Sequence, residues 1–197
     1  MYGAHSWRLH SLGFSLSMNF VASMVLVASA LGNGESVSCA LRYRWPHDTS
    51  AFTQGLLYSK GFMFESVGQF GRSELRVVEP STGKTARLVR LPPDRFGEGL
   101  ALVGDRLLQL TWRSGVAYVY EAATFRMVDS IGIASEAWGL AYDGSRMLVM
   151  SDGTAVLHTL NSIDGSVVGA LVVTDGQREV RGLSSSWVRG RPERGAS

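Results

Sequence analysis

A Gly-Leu pair opens a block of one design three times along this chain, and a fourth block begins before residue 197. The pairs Gly55-Leu56, Gly99-Leu100, Gly139-Leu140 and Gly182-Leu183 lie 44, 40 and 43 residues apart. A second marker keeps the same beat: EPSTGK at 79–84, EAATFR at 121–126 and NSIDGS at 161–166 recur at intervals of 42 and 40 residues. Two independent markers holding one period read as a repeat architecture, and about 40–45 residues is the length of a four-stranded propeller blade. The expectation is therefore an all-β chain, built as a β-propeller with about three blades plus the start of a fourth.

Local patterns agree with the repeat. Within the first block, GLLYS and GFMFES are short apolar or aromatic runs separated by a turn at 59–61, followed by ELRVVE and TARLVRL split by Pro80-Ser81-Thr82-Gly83. Such runs bounded by turn residues read as strands in hairpins. The second block repeats this from Phe96 and the third from Trp138, and no segment beyond the leader sustains a helical period. The run 41–45 alternates enough to be one further strand, and it belongs to no complete blade, so it is expected to help close a ring. The fourth block, opening at 180–183, runs into three serines and a tail rich in Arg, Gly and Pro, a composition that builds no core.

The first 30 residues differ in kind. Arg8 and His10 precede the apolar stretch 20–31, and Ala28-Ser29-Ala30 supplies the small residues that a signal peptidase needs. The expected organisation is a signal peptide over 1–30, a linker over 31–40, a partial propeller over 41–183 and an irregular tail over 184–197. Export to a periplasmic or extracellular space follows, with no stable membrane insertion after cleavage, because the apolar core is short for a span. The single cysteine, Cys39, allows no internal disulfide. A formal charge of +2 with scattered Lys and Arg gives no footprint for nucleic acid.

The repeat also locates candidate chemistry, because the innermost strands of the blades line one channel. Aligning the block starts AFTQGL, RFGEGL and EAWGL puts Gln54, Glu98 and Trp138 at the equivalent position, just before the repeated glycine. Trp112, at the end of QLTW, caps the same hollow. Glu98 admits two readings from spacing: a carboxyl beside aromatic rings, whose desolvation raises its pKa until it can hold a proton near neutrality, or a carboxylate bonded to turn amides. Trp112 and Trp138 read either as cavity walls or as blade-packing aromatics, and Gln54 either as a cavity group or as a tie between blades. His47-Asp48 resembles a catalytic pair but sits where side chains cap a turn, and His158 in VLHTL reads as a solvent-facing strand residue. No spacing of His, Cys or carboxylates fits a metal site, and there is no nucleophile elbow or phosphate loop, so neither metal nor cofactor is expected.

The motifs PHDTSAFTQGL (46–56), GRSELR (71–76), FGEGL (96–100), LLQLTW (107–112) and WGLAYDG (138–144) together resemble the plant-type glutamine cyclotransferases, which also occur in bacteria. The likeness covers about residues 42–183 in order. It implies a five-bladed propeller with an active site at the channel mouth. It also implies an acyltransferase activity that turns the N-terminal glutamine of peptides into pyroglutamate and releases ammonia. Carried over by motif, Glu98 is the implied acid/base, and Gln54, Phe96, Trp112 and Trp138 are the implied substrate-pocket residues. The family continues past the equivalent of Leu183 with further blades, where this sequence has Ser184-Ser185-Ser186. An inactive propeller fragment that binds partners through open edges, or a truncation product without function, is thus the competing expectation.

Overall fold

The computed structural model describes residues 41–180 and 182–183. The expected signal peptide, the linker and the tail lie outside the described residues. Twelve strands form three antiparallel four-stranded sheets, each with its strands in chain order. Blade one holds β1 (Thr53–Ser59), β2 (Phe62–Val67), β3 (Glu74–Glu79) and β4 (Lys84–Arg90). Blade two holds β5 (Gly97–Val103), β6 (Arg106–Thr111), β7 (Val116–Glu121) and β8 (Met127–Gly132). Blade three holds β9 (Leu140–Tyr142), β10 (Met147–Ser151), β11 (Val156–Asn161) and β12 (Val167–Val172). The start of a fourth unit is a short hairpin of β13 (Thr174–Asp175) and β14 (Arg178–Glu179).

The repeated glycine has a steric cause. A Cβ on Gly55 would stand 2.7 Å from the Leu100 backbone nitrogen, and one on Gly99 would stand 2.5 Å from that of Leu140. The inner strands therefore touch backbone to backbone at the first two Gly-Leu steps, and the Gly99 amide donates to the Trp138 carbonyl at 2.7 Å. Only a residue without a side chain permits that approach. The period seen in the sequence is the period of this contact.

Two cores fill the spaces between blades. Leu75, Leu100, Leu107, Tyr120 and Phe125 pack blade one on blade two. Leu108, Leu110, Val119, Ile131, Leu140, Leu148 and Met150 are among those packing blade two on blade three. β6 serves both because strand side chains alternate. Leu107 joins the first core, and Leu108 and Leu110 join the second. Gln109, on the Leu107 side, is fully buried and donates through Nε2 to Ser66 Oγ at 2.7 Å and to the Glu74 carbonyl at 3.2 Å.

The segment 41–45 is not the expected strand. It is irregular and largely exposed, and its aromatics stack instead of its backbone pairing. Tyr43 lies on Trp45 at 6.2 Å between centroids, and Trp45 lies on Tyr58 of β1 at 6.4 Å. A strand needs a neighbouring edge to take its hydrogen bonds, and none meets this segment among the described residues. On the far side, outer strand β12 leaves Val167, Val168, Leu171 and Val172 exposed.

Candidate active site

The strand starts at one end of the sheets bring the site together. Gln54 lies in β1, Glu98 in β5, and Trp138 two residues before β9. Gln54 donates its Nε2 to Glu98 Oε2 at 2.9 Å across 44 residues of chain. Glu98 is 7% exposed. Its pKa is pushed from 4.5 up to about 8, first by burial, which disfavours the charged form, and further by the nearby Glu136 carboxylate. The Gln54 hydrogen bond acts the other way, stabilising the anion. Among the described residues no cation is bonded to Glu98, so nothing of opposite sign cancels the desolvation.

An aromatic wall stands beside this pair. Phe96, in the turn before β5, meets Phe52 edge to face at 6.0 Å, Phe70 at 5.5 Å and Trp112 at 5.7 Å. Phe70 also lies 6.3 Å from Trp112. Arg113, in the left-handed region at φ 54°, folds its guanidinium over the outer face of Trp112 at 4.5 Å. The Trp138 ring lies over Gly153, where a Cβ would come within 2.9 Å of it. Gly153 also has φ +82°, so both space and backbone conformation call for glycine there.

Glu136 links the two indoles. Its Oε1 accepts Trp112 Nε1–H at 2.6 Å and Trp138 Nε1–H at 2.9 Å, and Arg113 Nε–H lies 3.3 Å away. These donors, Trp138 first and Trp112 next, hold its pKa below the usual glutamate value. The sequence reading did not single out this residue. A signal was present all the same: Phe52, Phe96 and Glu136 stand at one repeat position, two before Gln54, Glu98 and Trp138, and a carboxylate there breaks the aromatic pattern. Phe70 carried no comparable signal, since its connection (68–73) is two residues longer than the equivalent ones at 112–115 and 152–155.

The five candidate residues fall into two sets, a hydrogen-bonded pair and an aromatic group, related by the approach of the Glu136 charge to Glu98. Gln54 and Glu98 form a direct hydrogen bond, Trp112 and Trp138 share Glu136, and Phe96 packs on Trp112. His47 and Asp48 lie elsewhere. His47 Nε2 meets Glu65 Oε1 at 2.9 Å, while Asp48 accepts the Ser50 amide at 2.9 Å and Arg76 at 2.8 Å, so the pair does cap a turn but is also wired into blade one. His158 is not free in solvent: its Nε2 pairs with Asp152 Oδ2 at 2.8 Å. A separate cleft of about 270 Å³ lies beside this network, lined by residues including Gln69, Arg72, Glu74, Arg76 and Arg90, and not by Glu98.

An arrangement of one neutral-leaning carboxyl, one amide and several ring faces can bind a small uncharged polar group and move a proton at it. Comparison with known proteins points the same way. The glutamine cyclotransferase family matches residues 16–185. A glutaminyl-peptide cyclotransferase of Arabidopsis thaliana is 39% identical over 142 residues, which are 71% of this chain and 44% of that protein. The crystal structure of Myxococcus xanthus glutaminyl cyclase superposes with a TM-score of 0.66 at 33% identity, covering 72% of this chain and 59% of the other. The WD40 domain of Neurospora crassa Pan2 shares the fold alone, with a TM-score of 0.52 at 12% identity over 71% of this chain and 41% of that one. The chain thus spans less than half the length of the Arabidopsis relative and about three fifths of the Myxococcus one.

Proposed function

This chain belongs to the glutamine cyclotransferase family, and from that premise we propose that it cyclises the N-terminal glutamine of peptides to pyroglutamate with release of ammonia, Glu98 serving as general acid and base. The substrate's own α-amine attacks its γ-carboxamide carbon and closes a five-membered ring. Proximity inside one molecule supplies much of the acceleration. One proton must leave the attacking nitrogen and one must reach the departing nitrogen. Glu98 does both: its carboxyl gives a proton to the leaving NH₂, and the resulting carboxylate takes one from the amine, so the residue ends as it began.

The single observation that carries this reading is a buried carboxyl bonded to a neutral amide and, among the described residues, to no cation, so that burial pushes its pKa up to about 8. A proton is then available at neutral pH, and a group of this kind contributes about 10²- to 10⁴-fold. Gln54 occupies Oε2 and so leaves Oε1 to face the reacting nitrogens. Phe96, Trp112 and Trp138 flank the glutamine side chain and exclude water. Ammonia release from a glutamine-initiated dipeptide tests the reading. Turnover by the chain, lost in Glu98→Gln, supports it; an inactive but folded, β-rich chain overturns it.

One observation favours a second reading, a non-catalytic propeller module that binds partners at an outer strand. The exposed Val167, Val168, Leu171 and Val172 of β12 form an apolar outer edge. That reading gains only if the folded chain releases no ammonia. We also infer export, supported by the apolar stretch 20–31, which contains Ala28-Ser29-Ala30 near its end; N-terminal sequencing of the secreted protein, expected to begin near residue 31, tests it.

A further inference from the structure

The mechanism above uses Glu98 and the rings but leaves Glu136 without a task, although among the described residues it is the one carboxylate bonded to both indoles. Glu136 sits in the connection between β8 and β9, with its side chain 31% exposed. Its Oε1 alone takes the hydrogen bonds of Trp112, which ends the β6 side of blade two, and of Trp138, which leads into blade three. Two large rings from different blades are thus referred to one atom. An indole has a single N–H donor, and fixing that donor fixes the rotation of the ring about its side-chain torsions. Arg113 completes the arrangement by stacking on Trp112 while approaching the same oxygen at 3.3 Å.

We propose that Glu136 is the positioning residue of this pocket, holding the Trp112 and Trp138 indoles in one orientation so that they form opposed walls for the glutamine side chain. The proposal rests on the reading of Glu98 as the acid and base. A packing role alone would not need an anion at this point, because both rings already have apolar neighbours in Phe96, Phe70 and Gly153. The charge has a second consequence. Glu98 is faced by Gln54 and Glu136, and Glu136 is faced by Arg113, both indoles and Glu98. The negative charge of Glu136 opposes ionisation of Glu98, so the residue that orients the walls also keeps the proton on the acid.

Two variants separate the effects. Glu136→Ala removes acceptor and charge; Glu136→Gln keeps an acceptor oxygen and removes the charge. The first readout is the ¹H–¹⁵N signal of each indole, which needs no turnover. The Trp112 and Trp138 N–H signals should move upfield and exchange faster in Glu136→Ala, and should hold most of their protection in Glu136→Gln. The second readout is kinetic. Glu136→Ala should lose roughly 10²-fold in kcat/KM through misplacement of the substrate. Glu136→Gln should recover most of the KM effect while its high-pH limb moves to lower pH, since Glu98 then gives up its proton more readily. Indole signals unchanged in Glu136→Ala overturn the proposal, as do wild-type kinetics and pH profile in both variants. A chain that releases no ammonia while its indoles respond as expected sinks the assigned reaction and supports the clamp.

Discussion

Glu98 and Glu65 are two carboxyls hidden from water within the same pair of blades, at 7% and 0% exposure, and they face opposite kinds of neighbour. Glu65 accepts His47 Nε2 at 2.9 Å and Thr53 Oγ1 at 2.5 Å, with the Arg76 guanidinium 4.0 Å away. Arg76 in turn bonds Glu74 at 2.6 Å and Asp48 at 2.8 Å. This network ties the PHDTS segment to the GRSELR segment and anchors the start of β1, one residue before Gln54. Glu98 has a neutral amide bonded to it and another carboxylate nearby. Burial alone therefore assigns no role. A carboxyl wired to cations holds the chain together, whereas one left without them becomes a proton store.

The comparison breaks first if the two residues behave alike on substitution. Glu98→Gln should lower kcat by about 10²- to 10⁴-fold while leaving cooperative unfolding intact, as read by ammonia release beside urea denaturation. Glu65→Ala should do the reverse to the fold, destabilising it by roughly 3–5 kcal/mol, because Arg76 and His47 would lose the anion that faces them in a buried site. Urea unfolding measures that loss; a change under ~1 kcal/mol would mean that the network is ornamental.

A smaller effect tests the framework that brings Gln54, Glu98 and Trp138 into register. Gly99→Ala would drive a Cβ against the Leu140 and Trp138 backbones and should cost about 1–3 kcal/mol by overpacking. The same substitution at Gly132, where nothing lies within 4 Å, is the control.

A further effect sharpens the contrast by pH. The folded pKa of Glu98 lies above its unfolded value, so the native state binds more protons than the unfolded one between about 4.5 and 8. Stability is therefore full below 4.5 and declines as pH rises towards 8, by ~1.4 kcal/mol per unit from this residue. His47, raised by its bond to Glu65, contributes in the same direction. Subtracting the pH dependence of Glu98→Gln from that of the parent chain isolates Glu98. A difference flat between pH 5 and 8 would contradict the raised value.

The fold was highly legible because a single steric contact, glycine against the next inner strand, repeats in the sequence at the spacing of the blades. Gln54, Glu98 and Trp138 were legible for the same reason: equivalent positions in a rotational repeat converge. What stayed hidden depends on side-chain pairing across blades, which no period encodes. Glu136 occupies a repeat position that Phe52 and Phe96 fill with rings, and its meaning appears only when both indole N–H groups are seen to end on it. Glu65 looked like an ordinary strand residue in GFMFES, and its partners come from two other stretches, His47 and Thr53 from 46–56 and Arg76 from 71–76. The strand expected at 41–45 failed because alternation describes a residue pattern, whereas a strand also requires an edge to pair with.

The most direct measurement is a ¹³C titration of the side-chain carboxyls in glutamate-labelled protein, with Glu98 assigned by its absence from Glu98→Gln. The account predicts that this one signal titrates near pH 8, and that it moves to lower pH in Glu136→Gln. A Glu98 carboxyl that titrates near 4.5, like an ordinary solvated glutamate, would contradict it.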